Sequence, residues 1–467
     1  MIGRLLGFAR EILLVETYGL TAKADTISLL LTWSETLAGF VLAGSSASWL
    51  IPKLLSARSN NELIATLLLF RTSVLAVSVV IGLIGFIFAE YIFRLLYVGG
   101  SFSESDIIYF RTISLAVIFI SLFSVDNAYL QGKKFFLTTA LSTPLLNLGI
   151  IFAIFLSAES GLLTIFLFLF TFYFLRWIFV SRFVLKSTLR DFSSYLKPIW
   201  GNKIFYKFLL CSSLAAFSST SFPLVLKSLA SLGGDGKYVA VGLALKFFEV
   251  PTYILISSIN LVFASNYGSL ADKNDKRSHL LASELVHTGL ISTCVTCATL
   301  LLLDIVIQYD FINLIGRSVN YSEPILYFYY LIIALPFFSI FNSLVVHFFS
   351  IERPGIIIMV SLLSLLVSCI LWYHLSAMSL NLEIVIGITH FSFFFLASLG
   401  LFVYSKKEIC FKSIKPVCYL GMLVLMCFIL SSLFFDMDVS VGLCGIVFSL
   451  VSFFIVLLNR RSLVIFL

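Results

Sequence analysis

Apolar residues run in long stretches along almost the whole chain, and short polar segments separate these stretches. Many stretches have about 18 residues or more, enough for an α-helix to cross roughly 30 Å of hydrocarbon. The polar breaks hold turn-forming residues, as in Gly99-Gly100-Ser101 and Arg353-Pro354-Gly355. The pattern predicts about fourteen transmembrane helices, at 1–18, 24–51, 63–95, 107–131, 135–157, 161–185, 205–231, 239–267, 280–307, 323–350, 355–376, 382–404, 417–435 and 439–459.

The composition supports this placement in a membrane. Hydrophobic residues make up 60% of the 467 positions, charged residues make up 12%, and the mean hydropathy is +1.07. A soluble domain with so few polar residues could not cover its surface. Long continuous apolar runs favour helices, whose backbone groups are satisfied within each span. We therefore expect an all-α polytopic membrane protein, with the lipid bilayer as its surroundings.

The distribution of basic residues predicts the orientation. Only Lys23, Lys237 and Arg317 lie in segments that follow odd-numbered spans, whereas the remaining loop lysines and arginines follow even-numbered spans or lie in the C-terminal tail. Because cytoplasmic loops are enriched in Lys and Arg, both termini are expected in the cytoplasm. The net charge of +7 is scattered over these loops, so we expect no nucleic-acid partner.

A faint internal repeat of about 215 residues predicts two similar lobes. Glu35 corresponds to Glu249, Arg58 to Lys273, and Asn127 to Asn342. Because this offset covers six spans, an even number, the two lobes are expected to be parallel repeats. The predicted organisation is an N-terminal six-helix lobe at 1–185, a cytoplasmic interfacial linker at 186–204, a C-terminal six-helix lobe at 205–404, and two additional transmembrane helices at 405–467.

Charged residues inside the predicted spans are the candidates for function, because an ionisable group in a bilayer normally faces a partner or a wet cavity. Cations from both lobes, placed at an interface between them, would suit an anionic diphosphate. The predicted substrate-binding residues are Arg10, Lys227 and Lys246. The i, i+4, i+7 spacing of Gly3, Gly7 and Arg10 predicts that they share one packed helix face, and the i, i+3 spacing of Lys246 and Glu249 allows these two charges to neutralise each other. The candidates for carboxylates that line a cavity or couple transport to an ion are Asp25, Glu35 and Glu249, and the hinge candidates are Pro223, Pro251 and Pro336.

The cysteines and histidines give no sign of a metal site. Cys294 and Cys297 form a C-x-x-C pair inside an apolar run, without a second pair or a histidine cluster. There is also no Walker motif for ATP hydrolysis. We therefore expect no metal and no cofactor, and an ion gradient or the membrane potential as the energy source.

Two sequence blocks resemble the MurJ/MviN lipid II flippase family. The first block runs from Gly3-Arg4-Leu5-Leu6-Gly7-Phe8-Ala9-Arg10-Glu11 through Tyr18-Gly19 and Ala24-Asp25 to Ile51-Pro52, and the second is Leu245-Lys246-Phe247-Phe248-Glu249-Val250-Pro251. This family belongs to the multidrug/oligosaccharidyl-lipid/polysaccharide exporter (MOP) superfamily. The resemblance implies that Arg10, Asp25 and Lys246 match functional positions of the family. It also implies translocation of an undecaprenyl-diphosphate-linked glycan across the bacterial cytoplasmic membrane.

The chain departs from the family pattern at several positions. Ala38 and Gly39 stand where the family usually has two arginines, and Ala43 stands where it has an acidic residue. Glu35 and Lys227 are additional charges, and span 1 begins late relative to the family. A related carrier-linked polysaccharide unit therefore remains an alternative cargo to lipid II.

The sequence thus leads to one main functional hypothesis and two alternatives. The main hypothesis is a flippase that works by alternating access, with other cell-envelope synthesis proteins as candidate partners. The first alternative is a drug or organic-cation exporter of the same superfamily. The second is a membrane-embedded glycan polymerase or ligase, although the chain lacks the long extracytoplasmic loop that such enzymes usually carry. We therefore expect the protein not to be an enzyme.

Overall fold

The computed structural model describes residues 2–42, 60–133, 135–160, 162–188, 221–252, 274–308, 321–351, 353–378 and 380–405, with a few positions between 211 and 218. All regular structure in these residues is helical. The helices are α1 (Ile2–Tyr18), α2 (Ala22–Leu42), α3 (Asn60–Ile87), α4 (Ala89–Leu96), α5 (Glu104–Ile113), α6 (Val117–Gly132), α7 (Phe136–Ser160), α8 (Leu162–Thr188), α9 (Phe222–Ala230), α10 (Lys237–Pro251), α11 (Asn274–Gln308), α12 (Ser322–Leu331), α13 (Leu335–Ser350), α14 (Pro354–Ala377) and α15 (Leu382–Ser405).

Within the described residues, seven helical segments are long and apolar enough to cross a membrane. They are Thr66–Ile87, Glu104–Gln131, Leu162–Val184, Leu280–Leu300, Ser322–Phe349, Pro354–Ala377 and Leu382–Ser405. The protein is therefore a multi-pass helical membrane protein, as the apolar runs predicted. The two spans predicted at 417–435 and 439–459, and the linker at 186–204 apart from its first residues, lie outside the described residues.

The burial of α14 shows how the helices face their surroundings. Its buried side chains include Ser361, Ser364 and Ser368, which recur at helical spacing, whereas Leu363 and Leu366 are exposed. Large apolar side chains outside and small residues inside are typical of helix packing in a bilayer, where close backbone approach replaces the hydrophobic effect between helices. On α14 the three serines are therefore buried together with the apolar side chains of Ile357, Val360 and Trp372.

The chain divides into two compact units, Met1–Leu243 and Ala244–Leu467, and the division falls within α10. The same irregularity occurs in the described residues of both units. A 3₁₀ turn at Ser114–Ala116 interrupts the helix formed by α5 and α6, and a 3₁₀ turn at Ile332–Ala334 interrupts the helix formed by α12 and α13. The two interrupted helices begin 218 residues apart, at Glu104 and Ser322. This spacing is three residues longer than the offset of about 215 in the faint sequence repeat, and the predicted lobes stay a prediction.

Candidate functional site

Arg10 lies on the packed face of α1 that its sequence spacing predicted. Gly3 and Gly7 share this face, and α1 packs against α7 along it. Asn147 of α7 donates from Nδ2 to the carbonyl oxygen of Gly3 at 2.6 Å and accepts from Arg10 Nη1 at 3.4 Å. A Cβ at Gly7 would lie 3.4 Å from Asn147 Nδ2. The glycines therefore let an amide approach the arginine closely, which the sequence alone did not indicate.

Two carboxylates share the guanidinium of Arg10, and they differ in distance and exposure. Glu11 lies 2.6 Å from Nη2, and both side chains are only 4% exposed. Glu35 of α2 lies 3.5 Å from Nη1, and its side chain is 51% exposed. The short buried ion pair between Arg10 and Glu11 resists separation, because separating the two side chains would leave an uncompensated charge in the interior. The longer contact with a half-exposed carboxylate is weaker, because water screens it.

Lys227 of α9 is buried against α2. Its ammonium donates to the hydroxyl of Thr32 at 2.8 Å and lies 5.4 Å from the ring centroid of Tyr238. A Cβ on Gly242 would lie 3.1 Å from Lys227 Nζ, so the glycine leaves room for the amine. The cation thus occupies a site made by α2, α9 and α10, where a hydroxyl and an aromatic face contact its charge.

Asp25, a candidate for ion coupling, is fully buried and accepts three hydrogen bonds. The donors are the backbone N–H groups of Gly236 and Val239, each at 2.7 Å, and the hydroxyl of Tyr97 at 2.9 Å. Asp25 itself lies in the first turn of α2. One carboxylate therefore sits at the N-termini of α2 and α10, where the helix dipoles favour negative charge.

Asp235 extends this arrangement towards solvent. It accepts from the backbone N–H and the hydroxyl of Ser101, both at 2.8 Å, and from the hydroxyl of Tyr97 at 3.2 Å. The hydrogen bond from the Ser101 N–H, helped by the two hydroxyl groups, lowers the pKa of Asp235 below its usual value. We call Asp25, Tyr97, Ser101, Asp235 and the N–H groups of Gly236 and Val239 the Asp25 cluster.

Backbone geometry brings the parts of the Asp25 cluster together. Gly236 has φ = +85°, in the region that favours glycine. A Cβ on Gly236 would also collide with the carbonyl oxygen of Leu20. A side chain at this position would therefore separate the turn before α10 from the turn before α2 and remove the N–H from Asp25.

In the second unit, Lys246 and Glu249 pair with each other, as their spacing predicted. Lys246 Nζ donates to the two oxygens of Glu249 at 3.0 and 2.9 Å. Their side chains are 19% and 35% exposed. The pair is thus a partly exposed local ion pair on α10, and each of the three predicted cations has polar or acidic partners of its own.

The hinge candidates lie at helix ends. Pro223 and Pro336 occupy the first turns of α9 and α13, where a missing N–H breaks no helical hydrogen bond. Pro336 directly follows the 3₁₀ turn at Ile332–Ala334, and Pro251 is the last residue of α10. The structure adds Pro144, which lies inside α7 next to Gly3 and was missed by the sequence analysis.

Sequence reasoning also missed a second buried ion pair. Arg71 of α3 lies 3.3 Å from the fully buried Asp126 of α6 and donates to the hydroxyl of Ser181 at 2.8 Å. The two charges stand 55 positions apart, so no local spacing could reveal them. Among the described residues, no group of three or more His, Cys, Asp or Glu is arranged to hold a metal ion.

Comparisons with known proteins identify the fold. No family model and no curated protein matches the sequence. A structure described as the lipid II flippase MurJ in an inward closed conformation superimposes with a TM-score of 0.69 and 17% identity, covering 99% of this chain and 98% of that chain.

Transporters of the MOP superfamily also match. An inward-facing multidrug resistance MATE family transporter gives a TM-score of 0.65 at 18% identity, covering 87% of this chain and 94% of that one. A Pyrococcus furiosus transporter, described as having a binding pocket of reversed polarity, gives 0.63 at 18% identity, with 87% and 93% coverage. The predicted resemblance is thereby confirmed at the level of the fold: the chain has the fold shared by the lipid II flippase MurJ and the MATE transporters of the MOP superfamily.

Proposed function

We propose that the protein is a flippase that moves an undecaprenyl-diphosphate-linked glycan precursor across the bacterial cytoplasmic membrane by alternating access. The observation that carries the proposal is the buried guanidinium of Arg10, which has one tightly held carboxylate and one loosely held carboxylate. The likeness to MurJ over 99% of the chain supports the same class of cargo. The cargo is lipid II or a related cell-envelope polysaccharide unit.

The geometry at Arg10 suits the exchange of one anion for another. Glu11 keeps the guanidinium compensated when it is buried, whereas Glu35 lies farther away and is half-exposed. A diphosphate offers several charged oxygens, and a guanidinium can bind two of them at once. We infer that the substrate displaces Glu35 from Arg10 without uncovering an unpaired buried charge.

Lys227 and Lys246 are the other proposed diphosphate ligands. Lys227 donates to a hydroxyl and lies near an aromatic ring, and both contacts stabilise the cation. Lys246 is paired with a partly exposed carboxylate, so an incoming anion competes there with Glu249. In this proposal Glu35 and Glu249, which also correspond in the sequence repeat, are internal counter-ions that the substrate replaces.

The Asp25 cluster has a mechanical role in this proposal. Its turns follow odd-numbered predicted spans, which the distribution of basic residues places on the extracytoplasmic side with both termini in the cytoplasm. A carboxylate that joins the N-termini of α2 and α10 holds these helix ends together. We propose that the cluster keeps the outer ends of α2, α4 and α10 closed and opens during release of the cargo.

A drug or organic-cation exporter is the second candidate. It is supported by the MATE transporters that share the fold and by the half-exposed carboxylate of Glu35. A cationic substrate would bind Glu35 and leave Arg10 as the structural partner of Glu11. The two candidates thus differ in which member of the Arg10–Glu35 pair the substrate contacts.

The remaining proposals concern partners and energy. Other cell-envelope synthesis proteins that make or consume the carrier are proposed partners, and an ion gradient or the membrane potential is the proposed driving force without a cofactor. The similar solved structures are described as a flippase and transporters, which is consistent with a protein that is not an enzyme.

The proposal can be tested in proteoliposomes loaded with a fluorescent undecaprenyl-diphosphate sugar. Arg10→Ala should lower translocation at least tenfold. The matched control is Arg94→Ala, because Arg94 is 59% exposed and water partly screens its contact with a neighbouring surface glutamate. Its guanidinium also lies over the ring of Phe102. Translocation by wild type and the Arg94 variant, but not by the Arg10 variant, is the expected result.

Other outcomes separate the two candidates. Export of cationic dyes that requires Glu35 and is unchanged by Arg10→Ala would establish the exporter and overturn the flippase. Depletion of the protein in its own host should also cause one undecaprenyl-linked intermediate to accumulate. Accumulation of none would argue against a flippase.

A further inference from the structure

A seam of hydroxyl groups lines the contact between α11 and α13 in the second unit. On α11, Thr288, Ser292 and Thr296 recur every four residues and are buried. On α13, Ser339 and Ser343 are fully buried at the same spacing. The hydroxyl groups of Ser292 and Ser339 lie 2.8 Å apart, which fixes the register of the two helices.

Glu284 continues this seam by one further turn. It lies four residues before Thr288, so its side chain is on the same face of α11. The residue is only 4% exposed, and its Oε1 has no hydrogen-bond partner among the described residues. A carboxyl group this deeply buried inside a span normally has a function, because its charged form is expensive in a membrane.

The seam cannot supply the hydrogen bonds that a charged carboxylate needs. Thr288, Ser292 and Thr296 lie 2.7, 2.5 and 2.9 Å from the carbonyl oxygens one turn before them. Each hydroxyl has one hydrogen, and donation to the helix backbone uses it. The seam hydroxyls therefore have no hydrogen left to donate to Glu284, and this disfavours a carboxylate, which can only accept hydrogen bonds.

Few other titratable groups face Glu284 in the described residues. The antiparallel register places His347, buried near the end of α13, at the level of Glu284. His287 lies three residues along α11 and contacts the Ser283 carbonyl at 2.6 Å through Nδ1. Glu323 lies in the first turn of α12, level with the C-terminal end of α11 and therefore far from Glu284. The 3₁₀ turn before α13 has no titratable residue.

We propose that Glu284 is a proton-binding site and that its protonation and deprotonation couple transport to a proton gradient. The coupling rests on the proposed function, whereas the proton site stands on the geometry alone. Glu284 lies about 15 Å along α11 from its first residue, Asn274, at about 1.5 Å per residue. Under the predicted orientation this end faces the cytoplasm, from which the proton exchanges.

The first test measures the proton site without transport. Dicyclohexylcarbodiimide adds to protonated carboxyl groups in apolar surroundings and leaves carboxylates unmodified. The full chain in lipid nanodiscs is treated at pH 7, and modified residues are located by mass spectrometry. We expect modification of Glu284, a decrease of that modification at high pH, and no modification of Glu383, which is less buried and lies in the first turn of α15.

Two labelling results would overturn the site. One is the absence of modification at Glu284 at every pH. The other is protection of Glu284 by sodium at constant pH, because this would assign the site to a metal cation. Glu284→Gln should remove the signal from this peptide, and Glu383→Gln should leave it unchanged.

The second test concerns coupling and uses the fluorescent undecaprenyl-diphosphate sugar in proteoliposomes. Glu284→Gln imitates the protonated side chain, so we expect it to retain equilibration of the lipid between leaflets and to lose at least tenfold stimulation by an imposed pH gradient. Glu383→Gln should keep the stimulation. Retained stimulation in the Glu284 variant would overturn the coupling.

The two tests distinguish this inference from the proposed function. Modification of Glu284 with no translocation by the wild type would support the proton site and count against the flippase. Translocation by the wild type without modification of Glu284 would support the flippase and overturn the proton site. If Glu284→Gln does not fold, labelling of the wild-type chain and gradient stimulation of Glu284→Asp decide the question.

Discussion

The Asp25 cluster gives the sharpest structural prediction, through the substitution Asp25→Asn. The two side chains have nearly the same shape, but the amide has one acceptor oxygen, and its NH₂ group cannot accept a hydrogen bond. At least one of the N–H groups of Gly236 and Val239, both 2.7 Å from Asp25, therefore loses its partner. A hydrogen bond to a charged group contributes about 1.5–3 kcal/mol. A loss of ~2 kcal/mol makes opening of the cluster about 30-fold more frequent, at 1.4 kcal/mol for each factor of ten.

Hydrogen–deuterium exchange of the full chain in nanodiscs measures this opening directly. Peptides that cover 97–103 and 231–241 should exchange about 30-fold faster in Asp25→Asn, at the ~2 kcal/mol assumed above. Asp235→Asn is the matched control, because its carboxylate is largely exposed and water can replace its contacts, so a change of only a few-fold is expected. Equal exchange in the two variants would refute the assignment of Asp25 as the residue that joins the two helix ends.

Three further outcomes follow from the contacts. Glu35→Gln should raise the affinity for an undecaprenyl-diphosphate probe several-fold, because the competing charge is removed from Arg10; unchanged or weaker binding in a titration would contradict the exchange of anions. Lys227→Met should leave the thermal melting of the protein within a few degrees of wild type, because it relieves a buried charge, and should lower translocation at least tenfold. The pKa of Asp235 is lowered, so the stability it contributes is present above about pH 4 and is lost as the pH falls through the folded value; thermal melting measured from about pH 4 downward should show this loss in wild type and not in Asp235→Asn.

The sequence predicted the local part of the candidate site. The i, i+4, i+7 spacing placed Gly3, Gly7 and Arg10 on one packed face, and the i, i+3 spacing paired Lys246 with Glu249. Both predictions follow from helix geometry, in which residues three and four apart are neighbours. The roles of these residues in binding remain predictions.

The sequence could not predict contacts between distant segments. Asn147 reaches Arg10 across 137 positions, and Gly236 reaches Asp25 across 211. From the sequence, Asp25 was a candidate for ion coupling. Two of the three groups that donate to it are backbone N–H groups, which every residue except proline carries and which therefore leave no sign in the sequence. Glu284 likewise resembled an ordinary helix residue until its burial and its register with α13 were known.

By itself, the sequence determined that this chain lies in a membrane and is helical. Apolar stretches of sufficient length leave no other way to satisfy the backbone than helices within each span. The tertiary structure decided which charges are compensated, and it buried the Glu284 carboxyl on the hydroxyl-lined face of α11. That outcome depends on distances of about 3 Å between side chains on different helices, and helix packing, not hydropathy, sets those distances.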